Sequence, residues 1–214
     1  MDYVNNMKHN KKKILCFGDS NTYGFNPINA QRYNKDTRWT GILQTSLKEK
    51  YDIIEAGCNN RTCFMDNPEG EELTGYKAIK KYLSNETDIL ILALGINDLQ
   101  KIYHHNEETI KNGLAKIIDI ANDINKNVQI IILVPSIITA DIYNGFFCQL
   151  FDEQSIEESK KLNNIYQNIA KEKNCTIINL NDFVNVSSID GIHYDENAHK
   201  TIAKILQDYF LNLT

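Results

Sequence analysis

The sequence has no apolar run long enough to cross a membrane. It has no surplus of positive charge. Lys and Arg number 23 against 28 Asp and Glu, a formal net charge of -5 that argues against non-specific nucleic-acid binding. It has no cysteine cluster: Cys16, Cys58, Cys63, Cys148 and Cys175 are an odd five, and Cys58 and Cys63 stand too far apart for a CxxC pair. With no secretion signal, that pattern points to reduced thiols in a cytoplasm and away from a zinc site. Lys11, Lys12 and Lys13 precede an apolar stretch, but Gly18-Asp19-Ser20 interrupts it too early for a signal peptide. Residues 1–12 therefore read as a flexible polar tail, and 13–214 as one domain. No P-loop is present, because the stretch Gly18 to Gly24 lacks the lysine. His104 and His105 have no carboxylate or thiol at ligand spacing, so they read as exposed, with no metal site and no cofactor implied. There is no linker, repeat or low-complexity stretch.

What is present is a regular alternation. Five short runs rich in Ile, Leu and Val lie at 13–17, 52–56, 88–94, 128–134 and 176–180. Each is nearly continuous rather than alternating, as expected of parallel strands covered on both faces. Segments of helical period lie at 40–50, 73–83, 109–124, 153–173 and 196–210. Alternating strands and helices predict a doubly wound, three-layer α/β/α domain with right-handed crossovers. The longest irregular segments, 23–39, 59–70 and 135–152, follow strand ends. In an open parallel sheet the ligand crevice lies at that edge.

Three polar blocks follow strands or precede the last helix. Gly18-Asp19-Ser20 ends the first strand. Its serine could be a nucleophile beside helix-start amides, or Ser20 or Thr22 could cap a helix. It is not the GxSxG elbow. Gly95-Ile96-Asn97-Asp98 ends the third strand, where Asn97 offers a neutral donor for an oxyanion, or Asn97 and Asp98 cap a turn. Asp190-Gly191-Ile192-His193 precedes the last helix. A carboxylate three residues from an imidazole can hold one ring nitrogen and leave the other as a general base. Alternatively, Asp190 caps that helix.

Taken together and in this order, the blocks resemble the SGNH hydrolases, or GDSL esterase/lipase superfamily. The family's Gly-Asp-Ser, Gly-x-Asn-Asp and Asp-x-x-His signatures stand as Gly18-Asp19-Ser20, Gly95-Ile96-Asn97-Asp98 and Asp190-Gly191-Ile192-His193. Arg38-Trp39-Thr40-Gly41 and Phe147-Cys148-Gln149-Leu150-Phe151 are similar to the bacterial arylesterase/acyltransferase branch. The resemblance implies a flavodoxin-like sandwich with a five-stranded parallel sheet, which agrees with the pattern of the chain. It implies that Ser20 is the nucleophile of a serine esterase acting on short acyl esters, with His193 as base and Asp190 as its orienting acid. It further implies oxyanion donors at the Ser20 N–H, the Asn97 side chain and a residue after the second strand. There the family has a glycine. Aligning on Arg61-Thr62 puts Asn60 at that place, while Gly57 is the only glycine nearby; Asn60 is favoured because Asn tolerates left-handed backbone. Asp19 and Asp98 are expected just behind the reacting groups, with Gly57 serving the turn.

Other expectations are coarser. His199, six residues past His193, is the competing base, but no aspartate stands three residues before it. Tyr23, Trp39, Phe146, Phe147 and Phe151 are candidates to shape a pocket or a subunit contact, core packing being the alternative for each. The resemblance implies a small-molecule ester as partner, no membrane or nucleic acid, and the homo-oligomeric assembly common in that branch. Rival functions are a carbohydrate O-deacetylase of the same superfamily and a non-catalytic flavodoxin-like binding module.

Overall fold

The computed structural model describes residues 11–212. The expected tail lies almost wholly outside the described residues. Five parallel strands form the sheet: β1 (Lys12–Gly18), β2 (Tyr51–Gly57), β3 (Ile89–Ala93), β4 (Gln129–Val134) and β5 (Thr176–Asn179). Their spatial order is β2-β1-β3-β4-β5. The helices are α1 (Ser20–Tyr23), α2 (Trp39–Leu47), α3 (Gly75–Tyr82), α4 (Glu107–Ile124), α5 (Glu153–Glu172) and α6 (Glu196–Asn212).

Each strand is apolar on both sides because each side meets a helical layer. Leu15 and Phe17 of β1, Leu90 and Leu92 of β3, and Ile130 and Ile132 of β4 point to one face. There they join Ile79 of α3, Leu114 and Ile117 of α4, and Leu162 and Ile165 of α5. The alternate residues Ile14, Cys16, Ile89, Ile91, Ile131 and Leu133 point to the other face, against Leu43 of α2 and Ile202, Leu206 and Phe210 of α6. Side chains alternate across a strand, so two covered faces require a continuous apolar run.

The long helices begin where their sequences say they should. Asn106 and Thr109 form a reciprocal capping box on α4, and Asp152 and Ser155 do the same on α5. Each satisfies helix-start N–H groups that would otherwise be unpaired. The chain moves from β1 outward to β2, then crosses back to β3 on the other side of β1. That reversal opens a crevice between the carboxyl ends of β1 and β3. Ser20 follows the first of these strands and Asn97 the second.

Candidate active site

β1 runs directly into α1. A Cβ on Gly18 would lie 2.0 Å from Thr22 Oγ1, so only glycine lets the helix fold back against its own strand. Asp19 caps the helix, its side chain accepting the Asn21 N–H at 2.9 Å. Neither Ser20 nor Thr22 is the cap. Ser20 is the first helical residue, and its Oγ lies 2.8 Å from His193 Nε2. His193 Nδ1 lies 2.7 Å from Asp190 Oδ2. The other oxygen of Asp190 accepts the N–H groups of Ile192 at 3.2 Å and His193 at 3.0 Å. Asp190 therefore serves the imidazole, while Asp195 takes the Ala198 N–H at the start of α6. Burial raises the Asp190 pKa, but the His193 hydrogen bond and charge, with those two N–H groups, outweigh it and hold the carboxyl below its usual range. The His193 ring is flanked by Phe25, centroids 4.3 Å apart, and Phe147, at 5.2 Å. These rings exclude water from one side of the hydrogen-bonded chain.

His199 is not part of this chain. It is wholly buried on α6, where its Nδ1 accepts the Trp39 N–H at 3.3 Å and its ring meets the edges of Tyr33 and Tyr194. Burial pushes its pKa down to about 4. The expectation that both His104 and His105 are exposed holds only for His104. His105 is buried, and that burial lowers its pKa. Among the described residues, no group of three His, Cys, Asp or Glu side chains could hold a metal ion. Cys63 is wholly buried, and that burial pushes its thiol well above its usual pKa.

Ser20, Asn60 and Asn97 all line the cavity that holds the Ser20–His193 pair. Asn97 Nδ2 donates to the Arg61 carbonyl at 3.0 Å, which uses one of its hydrogens and leaves the other. Among the described residues, neither the Ser20 N–H nor the Asn60 N–H has a hydrogen-bond partner. Asn60 is left-handed, with φ 61°, a conformation asparagine adopts more readily than most residues. Gly57 has a different task. A Cβ there would lie 2.2 Å from the Tyr23 nitrogen, so its bareness makes room for α1. Arg61 locks these parts together. Its buried guanidinium donates to the Gly18 and Ala56 carbonyls at 3.1 and 2.5 Å, and stacks over the Phe17 ring at 4.4 Å.

Two further carboxylates lie buried behind the reacting groups. Asp98 accepts the N–H groups of Cys63, Phe64 and Met65 at 2.6, 2.9 and 2.8 Å, pinning the loop after β2. Burial nevertheless raises its pKa to about 6, and raises that of Asp19 to about 7. A carboxyl with a raised pKa binds its proton more tightly in the fold than in the unfolded chain. Stability is then lost as pH rises through the window from about 4 to about 7. Asp19→Asn keeps the oxygen that caps α1 and removes this titration. The stability of the variant relative to wild type is expected to rise between pH 5 and pH 8, read from thermal melts. A difference that does not vary with pH would show that Asp19 is ionised throughout.

A cavity of about 290 Å³ opens over Ser20 and His193. Its apolar lining comes from Phe25, Phe147, Leu150, Phe151 and Ile192. Its polar lining comes from Asn59, Asn60, Glu69, Asn97 and Gln100. Of the aromatics expected to shape a pocket, Phe147 and Phe151 line it. Tyr23, Trp39 and Phe146 do not, for distinct reasons. Tyr23 ends α1 with the Arg32 guanidinium 4.7 Å over its ring. Trp39 points into the core on the α2–α6 face, its Nε1 donating to the Asn21 carbonyl at 3.1 Å. Phe146 is 73% exposed. Phe25 and Gln100 were missed. Phe25 stands in the loop expected to be functional, but nothing in its sequence context distinguishes it from Tyr23 or Tyr33.

No curated protein sequence matches the chain. Est24, a carbohydrate acetylesterase from Sinorhizobium meliloti, is similar in structure, with a TM-score of 0.85 at 26% identity over 95% of this chain and 100% of that one. The inhibitor-bound aryl esterase of M. smegmatis has the same fold, with a TM-score of 0.85 at 24% identity over 95% and 100%. The family model that the chain matches, together with this fold, defines a carboxylic ester hydrolase. The chain belongs to the GDSL-like lipase/acylhydrolase family, whose model matches residues 16–201.

Proposed function

We propose that the chain hydrolyses short acyl esters of small alcohols through an acyl-enzyme, with Ser20 as nucleophile, His193 as general base and Asp190 as the group that orients it. The observation that carries this is the unbroken hydrogen-bonded run from Ser20 Oγ through both nitrogens of His193 to Asp190, with steps of 2.8 and 2.7 Å. His193 Nε2 takes the Ser20 proton as Oγ attacks the ester carbonyl. Asp190, kept ionised, stabilises the imidazolium that forms. The carbonyl oxygen becomes an oxyanion held by the N–H groups of Ser20 and Asn60 and the side chain of Asn97. The tetrahedral species collapses, His193 gives its proton to the leaving alcohol, and the acyl group stays on Ser20. Water then repeats the cycle, and a second alcohol in its place would give acyl transfer.

A second reading is supported by the polar lining. Asn59 and Glu69 offer hydrogen-bonding groups that suit a hydroxylated alcohol, and Est24 is named for acetylated carbohydrate. Turnover of acetylated sugars against aryl acetates separates the two substrate classes. A fluorophosphonate probe separates either from a non-catalytic module. It is expected to add one label per chain, recovered by mass spectrometry on the peptide containing Ser20. An unlabelled chain, or a label elsewhere, would overturn the assignment of the nucleophile.

A further inference from the structure

Gln100 closes the 3-10 turn that follows β3 and is only 4% exposed. Its side-chain nitrogen donates to Asn60 Oδ1 at 2.8 Å and to Asn97 Oδ1 at 3.2 Å. Both of its amide hydrogens are used, and the acceptors come from two different loops, one after β2 and one after β3. An amide whose oxygen is held must turn its nitrogen the opposite way. With Oδ1 on Gln100, Asn97 directs Nδ2 to the Arg61 carbonyl and keeps its second N–H for the cavity. Turned the other way, the same side chain would present oxygen lone pairs to a developing negative charge. Asn60 is held too: Asn67 Nδ2 donates to its carbonyl at 2.8 Å, and Gln100 holds its side chain. That double hold fixes the left-handed turn that aims its N–H.

The geometry points to Gln100 as a positioning residue that sets two of the three oxyanion donors at once. Its own hydrogens are committed to Asn60 and Asn97, so it acts through them. This rests on the reading of Asn60 and Asn97 as donors given above.

The test is kcat and KM on a short p-nitrophenyl ester for Gln100→Leu, Gln100→Glu, Asn97→Ala and the double variant Gln100→Leu with Asn97→Ala. Glutamate keeps the length of glutamine but, once ionised, faces two acceptor oxygens with none to donate. If the leucine variant fails to fold, the glutamate variant carries the test. Each single Gln100 variant is expected to lose about 10- to 100-fold in kcat, the scale of a small misplacement of reacting groups, with KM within about threefold. In the Asn97→Ala background, the further loss on adding Gln100→Leu is expected to shrink to about threefold or less, because one of the two groups it positions is gone. Single variants with kcat within about twofold of wild type, or losses that simply multiply in the double variant, would overturn the inference. Full turnover in Asn97→Ala alone would instead remove the oxyanion reading beneath it.

Discussion

Ser20→Ala is expected to lower kcat on a short p-nitrophenyl ester by a factor on the order of 10⁴ or more, with no loss of the folded state. Without the hydroxyl no acyl-enzyme can form, and the donors around the cavity can assist only direct attack by water. The fold is expected to survive because the Ser20 side chain makes one hydrogen bond, to His193. The cap of α1 belongs to Asp19, and alanine is the strongest helix former at a helical position. Circular dichroism and a thermal melt check the fold, and steady-state kinetics check the loss. Near-normal turnover in a folded variant would transfer the nucleophile's role to another group.

Asn97→Ala is expected to cost about 10²- to 10³-fold in kcat with a much smaller change in KM. The split follows from when the interaction is made. A donor aimed at the oxyanion binds the neutral ester carbonyl weakly and the tetrahedral species strongly, so its removal raises the barrier more than it weakens binding. There is a structural cost as well, because the Arg61 carbonyl loses the Asn97 side chain as its donor. A stability measurement beside the kinetics separates the two effects. A loss in kcat of only a few-fold would take Asn97 out of the oxyanion hole.

Much of this architecture was legible in the residues. The central strands carry nearly continuous apolar runs because both sheet faces are covered, so their pattern announced their burial and their parallel pairing. Strand ends lie within one residue of those expected, as with β1, which reaches Gly18 rather than stopping at Phe17, while α2 stops at Leu47, three residues short of its expected end. A helix start near Ser20 was foreseen, but not its extent or its Asp19 cap, because a single turn of four residues is too short to show a period. The polar blocks were legible because the chemistry needs particular groups at strand ends, and each position has few substitutes. Pocket walls are different. Tyr23 and Phe25 are two residues apart in one irregular segment, yet only Phe25 reaches His193. Which of them turns inward depends on the path of the loop, which no local pattern encodes. Gln100 was hidden for the same reason: its value lies in Asn60, 40 residues earlier, and its own sequence context is an unremarkable turn.

The separation of 173 positions between Ser20 and His193 also bears on how the site is assembled. During synthesis β1 and Ser20 emerge long before Asp190 and His193. A chain under synthesis therefore holds Ser20 without its His193 hydrogen bond, and on the proposed mechanism it gains reactivity only when the segment before α6 docks. Contacts spanning most of the chain are slow to form. For a hydrolase this delay keeps a half-folded intermediate chemically silent, so that reactivity toward a phosphonate probe would serve as a clock for the final folding step.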